Sequence, residues 1–186
     1  MTVHVVSNKH LAPTFVDEWE HVARGDPRYW EQHGWVITEL LYQLRHDDRQ
    51  VFLLAEGEAV IGVAILLTER EFPPHLSLLA VHPRRVIAGI HGAGRRLLAA
   101  VARHLLPRSG QIVCTGSAVR EVVDYYVRAG WQVKAVYPAE APGDVAADIE
   151  WPAAAARRFL VTTTPDTGRC DVEEGGVAVR HLLGLV

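Results

Sequence analysis

Apolar residues recur along the chain with two different spacings, which divide it into helices and strands. Residues 14–24 and 27–47 carry apolar side chains every three or four positions, which predicts two helices. Asp26-Pro27 is a typical start for the second helix, because aspartate caps free backbone N–H groups and proline fits the first helical position. Gly34 interrupts this second pattern, so the sequence leaves one helix or two open.

From Val51 onward the spacing is that of strands. Two apolar runs in residues 51–69 flank Glu56-Gly57-Glu58, which predicts a β-hairpin with largely buried strands. Helical spacing returns after Gly94 and again at 118–129. The remaining predicted strands are 3–6, 75–81, 110–116, 131–138 and 144–151. This order predicts a mixed α/β fold with a central sheet of six to seven strands flanked by helices.

The end of the chain has a different texture. Residues 152–186 begin with an Ala-rich, helix-prone run, pass a turn at 165–168 and end in an apolar segment after Gly175-Gly176. We therefore predict a main domain over 1–151 and a C-terminal extension over 152–186, packed on that domain or on a second subunit. The apolar end is compatible with a homodimer.

Composition narrows the class of protein. The 186 residues are 49% hydrophobic and 22% charged, as in ordinary globular proteins, and the formal net charge of −3 disfavours nucleic acid or an anionic membrane as a partner. The first ten residues resemble no signal peptide, and no apolar run is long enough to span a membrane. Two cysteines form no disulfide framework, and the histidines lack zinc-site spacing. We expect a cytoplasmic protein without a metal.

The stretch from His75 to Leu106 carries the strongest chemical signal. An apolar strand ends at Pro83, glycines 89, 92 and 94 form a turn, and a helix follows. Backbone N–H groups at a helix start lack internal partners and lie at the positive end of the helix dipole, so they bind phosphate groups. Four arginines flank the turn: Arg84, Arg85, Arg95 and Arg96. A polyanionic cofactor is the hypothesis that follows.

Three motifs in this order resemble the GNAT superfamily of acyl-CoA-dependent N-acyltransferases. The strand ending Leu79-Ala80-Val81-His82-Pro83 is similar to the family's Val-x-Pro strand. Residues 89–94, Gly-Ile-His-Gly-Ala-Gly, resemble its pyrophosphate loop, with Gly89 where Arg or Gln is usual. Residues 126–131, Tyr-Val-Arg-Ala-Gly-Trp, resemble its Tyr-x-x-x-Gly-Phe motif. The likeness covers roughly residues 1 to 151, and each motif alone is weakly specific.

The resemblance implies acetyl-CoA as the cofactor and a mostly antiparallel sheet that splays at the strand ending near Val81. The main chain of that strand would hold the pantetheine arm, and N–H groups from Ile90 to Arg95 would bind the diphosphate. The residues implied at the cofactor are Leu79, Ala80, Val81, Arg84, Arg85, Gly89, His91, Gly92, Ala93, Gly94, Arg95 and Arg96. Tyr126 falls on the family's general-acid tyrosine; otherwise it packs in the core, with Tyr125 facing solvent.

A general base is less clearly marked. Strict alternation would place His75, Ser77, Leu79 and Val81 on one face of their strand. His75 lies six residues before Val81, where some members of the family carry a glutamate base, and an imidazole suits that role. His75 could equally bond the Pro73-Pro74 loop, and Glu69 and Glu71 are rival bases. We expect His82 and His91 to face solvent or phosphate, and Cys114 to be a small buried residue rather than a nucleophile.

The resemblance implies direct transfer of an acetyl group to a primary amine on a small molecule or peptide. A catalytically inactive acyl-CoA-binding regulatory module on the same fold is the main alternative. A Rossmann dinucleotide domain is a weaker one, because residues 108–116 contain no acid at the strand end that would bind the ribose. The sequence does not name the acceptor amine or the acyl chain length.

Overall fold

A computed structural model describes residues 1–7, 14–46, 49–68, 73–138, 145–163 and 172–174. The strands are β1 (Thr2–Ser7), β2 (Arg49–Glu56), β3 (Ala59–Leu67), β4 (His75–Val81), β5 (Ile112–Val119), β6 (Gln132–Pro138), β7 (Val145–Pro152) and β8 (Val172–Glu174). The helices are α1 (Thr14–Arg24), α2 (Pro27–Arg45), α3 (Pro83–Ile87), α4 (Ala93–Leu105), α5 (Arg120–Arg128) and α6 (Ala153–Thr163). The predicted mixed α/β class is confirmed.

One sheet of eight strands has the order β6-β7-β5-β4-β3-β2-β1-β8. The pairs β4–β5 and β1–β8 are parallel, and the other pairs are antiparallel. The seven strands predicted from residues 1–151 are therefore confirmed as a mostly antiparallel sheet. β8 comes from the C-terminal segment, and the division at residue 152 stays a prediction. The turns at 142–143 and 165–168 and the apolar end lie outside the described residues.

The structure has a single helix where one or two were possible, and one helix that was not predicted. α2 runs through Gly34 without a break, and a Cβ at that position would come within 2.9 Å of the Trp30 ring, so glycine lets the indole lie flat on the helix. The Asp26 cap is confirmed, since its carboxylate accepts the N–H of Tyr29 at 2.9 Å. The short helix α3 was not predicted. None of the helices in the described ranges has the length and apolar character needed to cross a membrane.

Each face of the sheet has its own apolar core. α1 and α2 cover one face, where Trp19, Ile37 and Leu40 pack against β2, β3 and β4. α4, α5 and α6 cover the other face, and the core there includes Leu97 of α4 and Trp151 of β7. The burial of these apolar side chains from both faces is the main stabilising term of the fold.

A β-bulge in β4 decides which side chains reach which face. Ile65 pairs with Leu78 but Leu66 pairs with Leu76, so Ser77 is an extra residue, and its hydroxyl donates to Ile65 O at 3.3 Å. Alternation is broken there: Leu76 packs on the α4 side, Leu78 and Ala80 pack on the α1–α2 side, and Leu79 and Val81 return to the α4 side. The predicted common face for His75, Ser77, Leu79 and Val81 is wrong, because a bulge inserts one residue into the pleat.

The two parallel strands in the middle of the sheet separate soon after they meet. β4 and β5 pair only at His75–Thr115 and Leu76–Gly116. Beyond these pairs, residues 77–81 of β4 have no register with β5, so the sheet opens toward the start of α4. The splay predicted near Val81 is confirmed.

Candidate active site

The open end of the β4–β5 gap leads to the first turn of α4. Gly92 precedes the helix with a left-handed φ of +104°, and no side chain caps the helix there. The N–H of Arg96 donates to Gly92 O at 3.1 Å and starts the helical hydrogen bonds. The N–H groups of Ala93, Gly94 and Arg95 precede that series, so they are the donors that a helix start offers to an anion.

The loop before α4 is partly closed by its own hydrogen bonds. α3 occupies residues 83–87 and so lengthens the connection between β4 and the glycines. The N–H of Ile90 donates to Arg85 O at 2.8 Å, so the expected set of anion donors from Ile90 to Arg95 is shortened at its beginning. Gly89 and Gly92 both have positive φ, and a Cβ on either would meet no atom within 4 Å. The loop therefore has an unobstructed outer surface.

Two of the four arginines contact different elements of the fold. The Arg85 guanidinium makes an ion pair with Glu56. Arg95 is directed to α6, where its Nε donates to Thr163 Oγ1 at 3.1 Å and its guanidinium carbon lies 5.3 Å from the centre of the Phe159 ring. Arg84 is exposed and Arg96 is half-buried. The loop remains electropositive, but Arg85 and Arg95 also hold neighbouring elements together.

Two adjacent tyrosines of α5 belong to the packing on the α4 side of the sheet. Tyr126 is 8% exposed and packs against Trp131 with ring centres 5.3 Å apart. The expectation that Tyr125 faces solvent is wrong: its hydroxyl is buried, has no hydrogen-bond partner among the described residues, and lies against Gly94. Burial raises the pKa of both phenols, so both are protonated at neutral pH.

His75 lies at the last pair before β4 and β5 separate. Its Nδ1 is 3.2 Å from Thr115 Oγ1, and that hydroxyl donates to Pro74 O at 3.5 Å. The direction of the contact depends on the imidazole tautomer: when Nδ1–H donates to Thr115, the lone pair lies on Nε2. Burial lowers the pKa of His75 below its ordinary 6.5, the charge of Asp148 opposes this, and Arg49 adds to it. The imidazole is therefore neutral at pH 7.

His82 does not face solvent or phosphate as expected. It is 5% exposed, and its Nδ1 accepts the N–H of Arg84 at 3.0 Å, which caps α3. Nε2 lies 3.6 Å from Glu18 Oε1. Burial lowers the pKa of His82, and the nearby Glu18 carboxylate only partly offsets it. His91 is exposed, as predicted.

The remaining candidate residues are a cysteine, possible metal ligands and two glutamates. Cys114 is fully buried, and burial raises the pKa of its thiol to about 12, so the prediction of an inert cysteine is confirmed. Within the described ranges no three His, Cys, Asp or Glu side chains are grouped to hold a metal ion. Glu69 and Glu71, the rival bases, lie outside those ranges.

A polar network on β5, β6 and β7 was not predicted. Asp148 Oδ1 accepts from Ser117 Oγ at 3.2 Å and from Tyr137 Oη at 3.0 Å. One feature of the sequence indicates this network. Asp148 stands between the apolar Ala147 and Ile149, so it must lie on the other face of its strand. The pairing of β5 with β7, which brings Ser117 opposite Asp148, could not be read from the sequence.

Three solved structures share the fold at 14–20% sequence identity. No protein-family model matches the chain, and no curated protein matches it in sequence. A protein assigned to the GNAT family of acetyltransferases from Desulfovibrio desulfuricans is 20% identical, with 82% of this chain and 99% of that one covered and a TM-score of 0.54. The aminoglycoside 6'-N-acetyltransferase from Enterococcus faecium is 14% identical, with 80% and 96% covered and a TM-score of 0.55.

A third structure extends over almost the whole chain. It is BjaI, a CoA-dependent acyl-homoserine lactone synthase, described with SAM and isopentyl-CoA. The identity is 18%, the coverage is 97% of this chain and 98% of that one, and the TM-score is 0.60. Together with the splayed sheet, these likenesses show that the chain has the GNAT fold.

Proposed function

We propose that the protein is an acyl-CoA-dependent N-acyltransferase that moves an acetyl group from acetyl-CoA directly to a primary amine. The observation that carries the proposal is the end of β4–β5 pairing after Leu76–Gly116, which opens a gap leading to the uncapped start of α4. Solved proteins with this fold include an aminoglycoside 6'-N-acetyltransferase in complex with coenzyme A, which supports a small-molecule amine as acceptor. Peptide amines and a homodimer belong to the same proposal.

The residues around the gap fit acetyl-CoA. The N–H groups of Ala93, Gly94 and Arg95 suit a diphosphate, and no Cβ blocks the loop at Gly89 or Gly92. The unpaired edge of β4 from Leu79 to Val81 offers main-chain groups to the pantetheine amides. When bound, acetyl-CoA supplies an activated acetyl thioester.

Tyr126 is the proposed general acid. It lies in the α4-side core below β5, and its neighbours include Cys114, a residue of the strand that borders the gap. A protonated phenol held in an apolar site can donate its proton to a departing thiolate. Burial raises the pKa of Tyr126 and so keeps its hydroxyl protonated until the thiolate departs.

His75 is the proposed general base. The bulge at Ser77 places His75 on the face of the sheet opposite to Leu79 and Val81, so base and acid approach the gap from opposite sides. The lone pair on Nε2 can accept a proton from the attacking amine, directly or through one water molecule. This lone pair is on Nε2 in the tautomer whose Nδ1–H donates to Thr115.

The catalytically inactive acyl-CoA-binding module remains the alternative, and two observations favour it. Gly89 stands where the family usually has Arg or Gln, and the Arg85 and Arg95 side chains are engaged with Glu56 and α6. Such a module would bind acyl-CoA mainly through the main chain.

Calorimetric titration with acetyl-CoA, followed by a thiol-release assay over a panel of primary amines, tests the proposal. We expect heat of binding with acetyl-CoA, none with NAD, and amine-dependent release of CoA. Binding without release for any amine would support the inactive module. No binding of acetyl-CoA would contradict both functions.

A further inference from the structure

The face of the sheet opposite α5 and α6 carries an ordered carboxylate close to the proposed base. Ala147, Ile149 and Trp151 of β7 face the core shared with α4, so Asp148 points to the other face of the sheet. Cys114 and Ala118 of β5 also face that core, so Thr115 and Ser117 lie on the same face as Asp148. That face is exposed here, since Ser117, Asp148 and Tyr137 all reach solvent.

Two hydroxyl groups hold the Asp148 carboxylate in one orientation. Ser117 of β5 and Tyr137 of β6 both donate to Oδ1, one from each neighbouring strand. Among the described residues these bonds end on the same oxygen, which leaves Oδ2 for a further partner. An exposed carboxylate fixed from two sides loses little side-chain entropy when it binds a cation.

Among the described residues of β5, β6 and β7, Asp148 is the carboxylate on this face without a nearby cation. Glu150, two residues along β7, is 3.2 Å from Lys134 Nζ, so those two charges offset each other. Arg49 and Asp148 both influence His75, with opposite signs. By strand register Arg49 of β2 lies on one side of His75 and Asp148 of β7 lies on the other, so the imidazole stands between a positive and a negative charge.

These charges match an acceptor that has an unprotonated amine at one end and a positively charged group at the other. The amine that attacks a thioester must be unprotonated, and a positive group near the base favours the unprotonated amine. A second cationic group on the same molecule would be repelled by Arg49 and attracted by Asp148. Strand pairing places His75 next to Thr115 and Ser117 next to Asp148, so two strand spacings and a two-residue offset separate the Cα atoms of His75 and Asp148 by roughly 12 Å. A linear diamine of a few carbons can bridge the two side chains.

We propose that Asp148 is the specificity-determining residue for the acceptor, and that the preferred acceptor is an amine carrying a second positively charged group. This inference rests on the proposed N-acyltransferase function. Ser117 and Tyr137 are positioning residues that orient the carboxylate. Asp148 forms a charge-assisted hydrogen bond to the distal ammonium group while the proximal amine lies at His75.

The test compares two diamines, 1,4-diaminobutane and 1,6-diaminohexane, with the monoamines n-butylamine and n-hexylamine as acetyl acceptors. For the wild type we expect a higher kcat/KM with at least one diamine than with its matched monoamine. In Asp148→Asn that preference should fall by about 10- to 100-fold, the usual effect of losing a hydrogen bond to a charged group. The loss should appear in KM, and kcat/KM for the monoamines should stay within a few-fold.

The control variant is Asp124→Asn, which removes an exposed carboxylate from α5 on the other side of the sheet. It should leave the preference unchanged. Raising the salt concentration should reduce the preference of the wild type, because exposed charges are screened. Equal kcat/KM for diamines and monoamines, or an equal loss for both in Asp148→Asn, would overturn the inference.

Failure of the inference and failure of the proposed function give different results. If acetyl-CoA does not bind, the N-acyltransferase function fails and the inference falls with it. If acetyl-CoA binds and amines are acetylated without preference, only the inference fails. If acetyl-CoA binds but no amine is acetylated, the role of Asp148 is tested by calorimetric titration of the diamines into the CoA-saturated protein. Tighter binding than in Asp148→Asn supports the role of Asp148, and equal binding contradicts it.

Discussion

The hydroxyl of Tyr125 lies 2.8 Å from the place where a Cβ would stand on Gly94. That hydroxyl is buried and has no hydrogen-bond partner among the described residues. The first turn of α4 therefore approaches α5 closely only because residue 94 has no side chain. The contact joins the proposed diphosphate loop to the helix that carries the proposed acid.

Replacing Gly94 by alanine should have opposite effects in two backgrounds. Beside Tyr125 the new methyl group would clash, and we expect a loss of about 1–3 kcal/mol in the free energy of unfolding. In the Tyr125→Phe background the nearest ring carbon is 3.5 Å away, an ordinary contact, and alanine should stabilise the helix by up to about 1 kcal/mol. Denaturant titration of the four proteins measures the coupling. Equal effects in both backgrounds would show that the two residues do not touch.

The two tyrosines can be distinguished by their effect on turnover. Tyr126→Phe removes the proposed proton donor, so kcat for acetyl transfer should fall by about 10²- to 10⁴-fold while the Kd for acetyl-CoA changes little. Tyr125→Phe is the matched control and should keep kcat within a few-fold. Steady-state kinetics and calorimetry on both variants provide the measurement. A larger loss of kcat in Tyr125→Phe than in Tyr126→Phe would move the acid role to the neighbouring residue.

The environment of His75 predicts where activity is lost in acid. Burial lowers its pKa below 6.5, and only the unprotonated imidazole accepts a proton, so kcat should be constant near neutrality and fall only below pH 6.5. Asp148→Asn removes the charge that opposes this shift, so the acidic limb should move to still lower pH. His75→Gln should reduce kcat by about 100-fold and abolish the limb. A limb above pH 7, unchanged in His75→Gln, would assign the base to another group.

His82 predicts a second pH dependence, this time of stability. Its folded pKa lies below the unfolded value, so the folded state binds fewer protons, and stability decreases as the pH falls through about 6.5. His82→Asn keeps an acceptor for the N–H of Arg84 and removes the titration. As the pH falls from about 7.5 to 5.5, the wild type should therefore lose up to about 1 kcal/mol of unfolding free energy relative to His82→Asn.

The exposed His91 provides the control for this measurement. His91→Asn should keep the same stability difference from the wild type at both pH values. Thermal unfolding at each pH is sufficient to compare the three proteins. A constant difference between wild type and His82→Asn would mean that the imidazole does not resist protonation in the folded state.

Local patterns in the sequence predicted most of the fold. The strands of residues 1–151 and the cap at Asp26 follow from alternation and from capping chemistry, which depend on neighbouring residues only. α3 escaped prediction because five residues beginning at Pro83 are too few to show a helical stripe. The bulge was not predicted because Ser77 fits a strand pattern whether or not it is paired. The position of the bulge depends on the pairing of β4 with β3.

The candidate site was predicted in part for the same reason. The glycine loop and Tyr126 are contiguous motifs, so their order along the chain was informative. The burial of Tyr125 depends on how closely α4 and α5 pack, and the bonds of Asp148 depend on the strand order β6-β7-β5. Both are contacts between elements distant in sequence, and no local pattern encodes them.

The bulge at Ser77 has a kinetic consequence under the proposed function. Because it turns His75 toward one surface and Leu79 and Val81 toward the other, the acyl donor and the amine would enter from opposite directions. Neither reactant would obstruct the entry of the other. Double-reciprocal lines should then intersect, as in any sequential mechanism, and dead-end inhibitors of each substrate should show that either substrate can bind first.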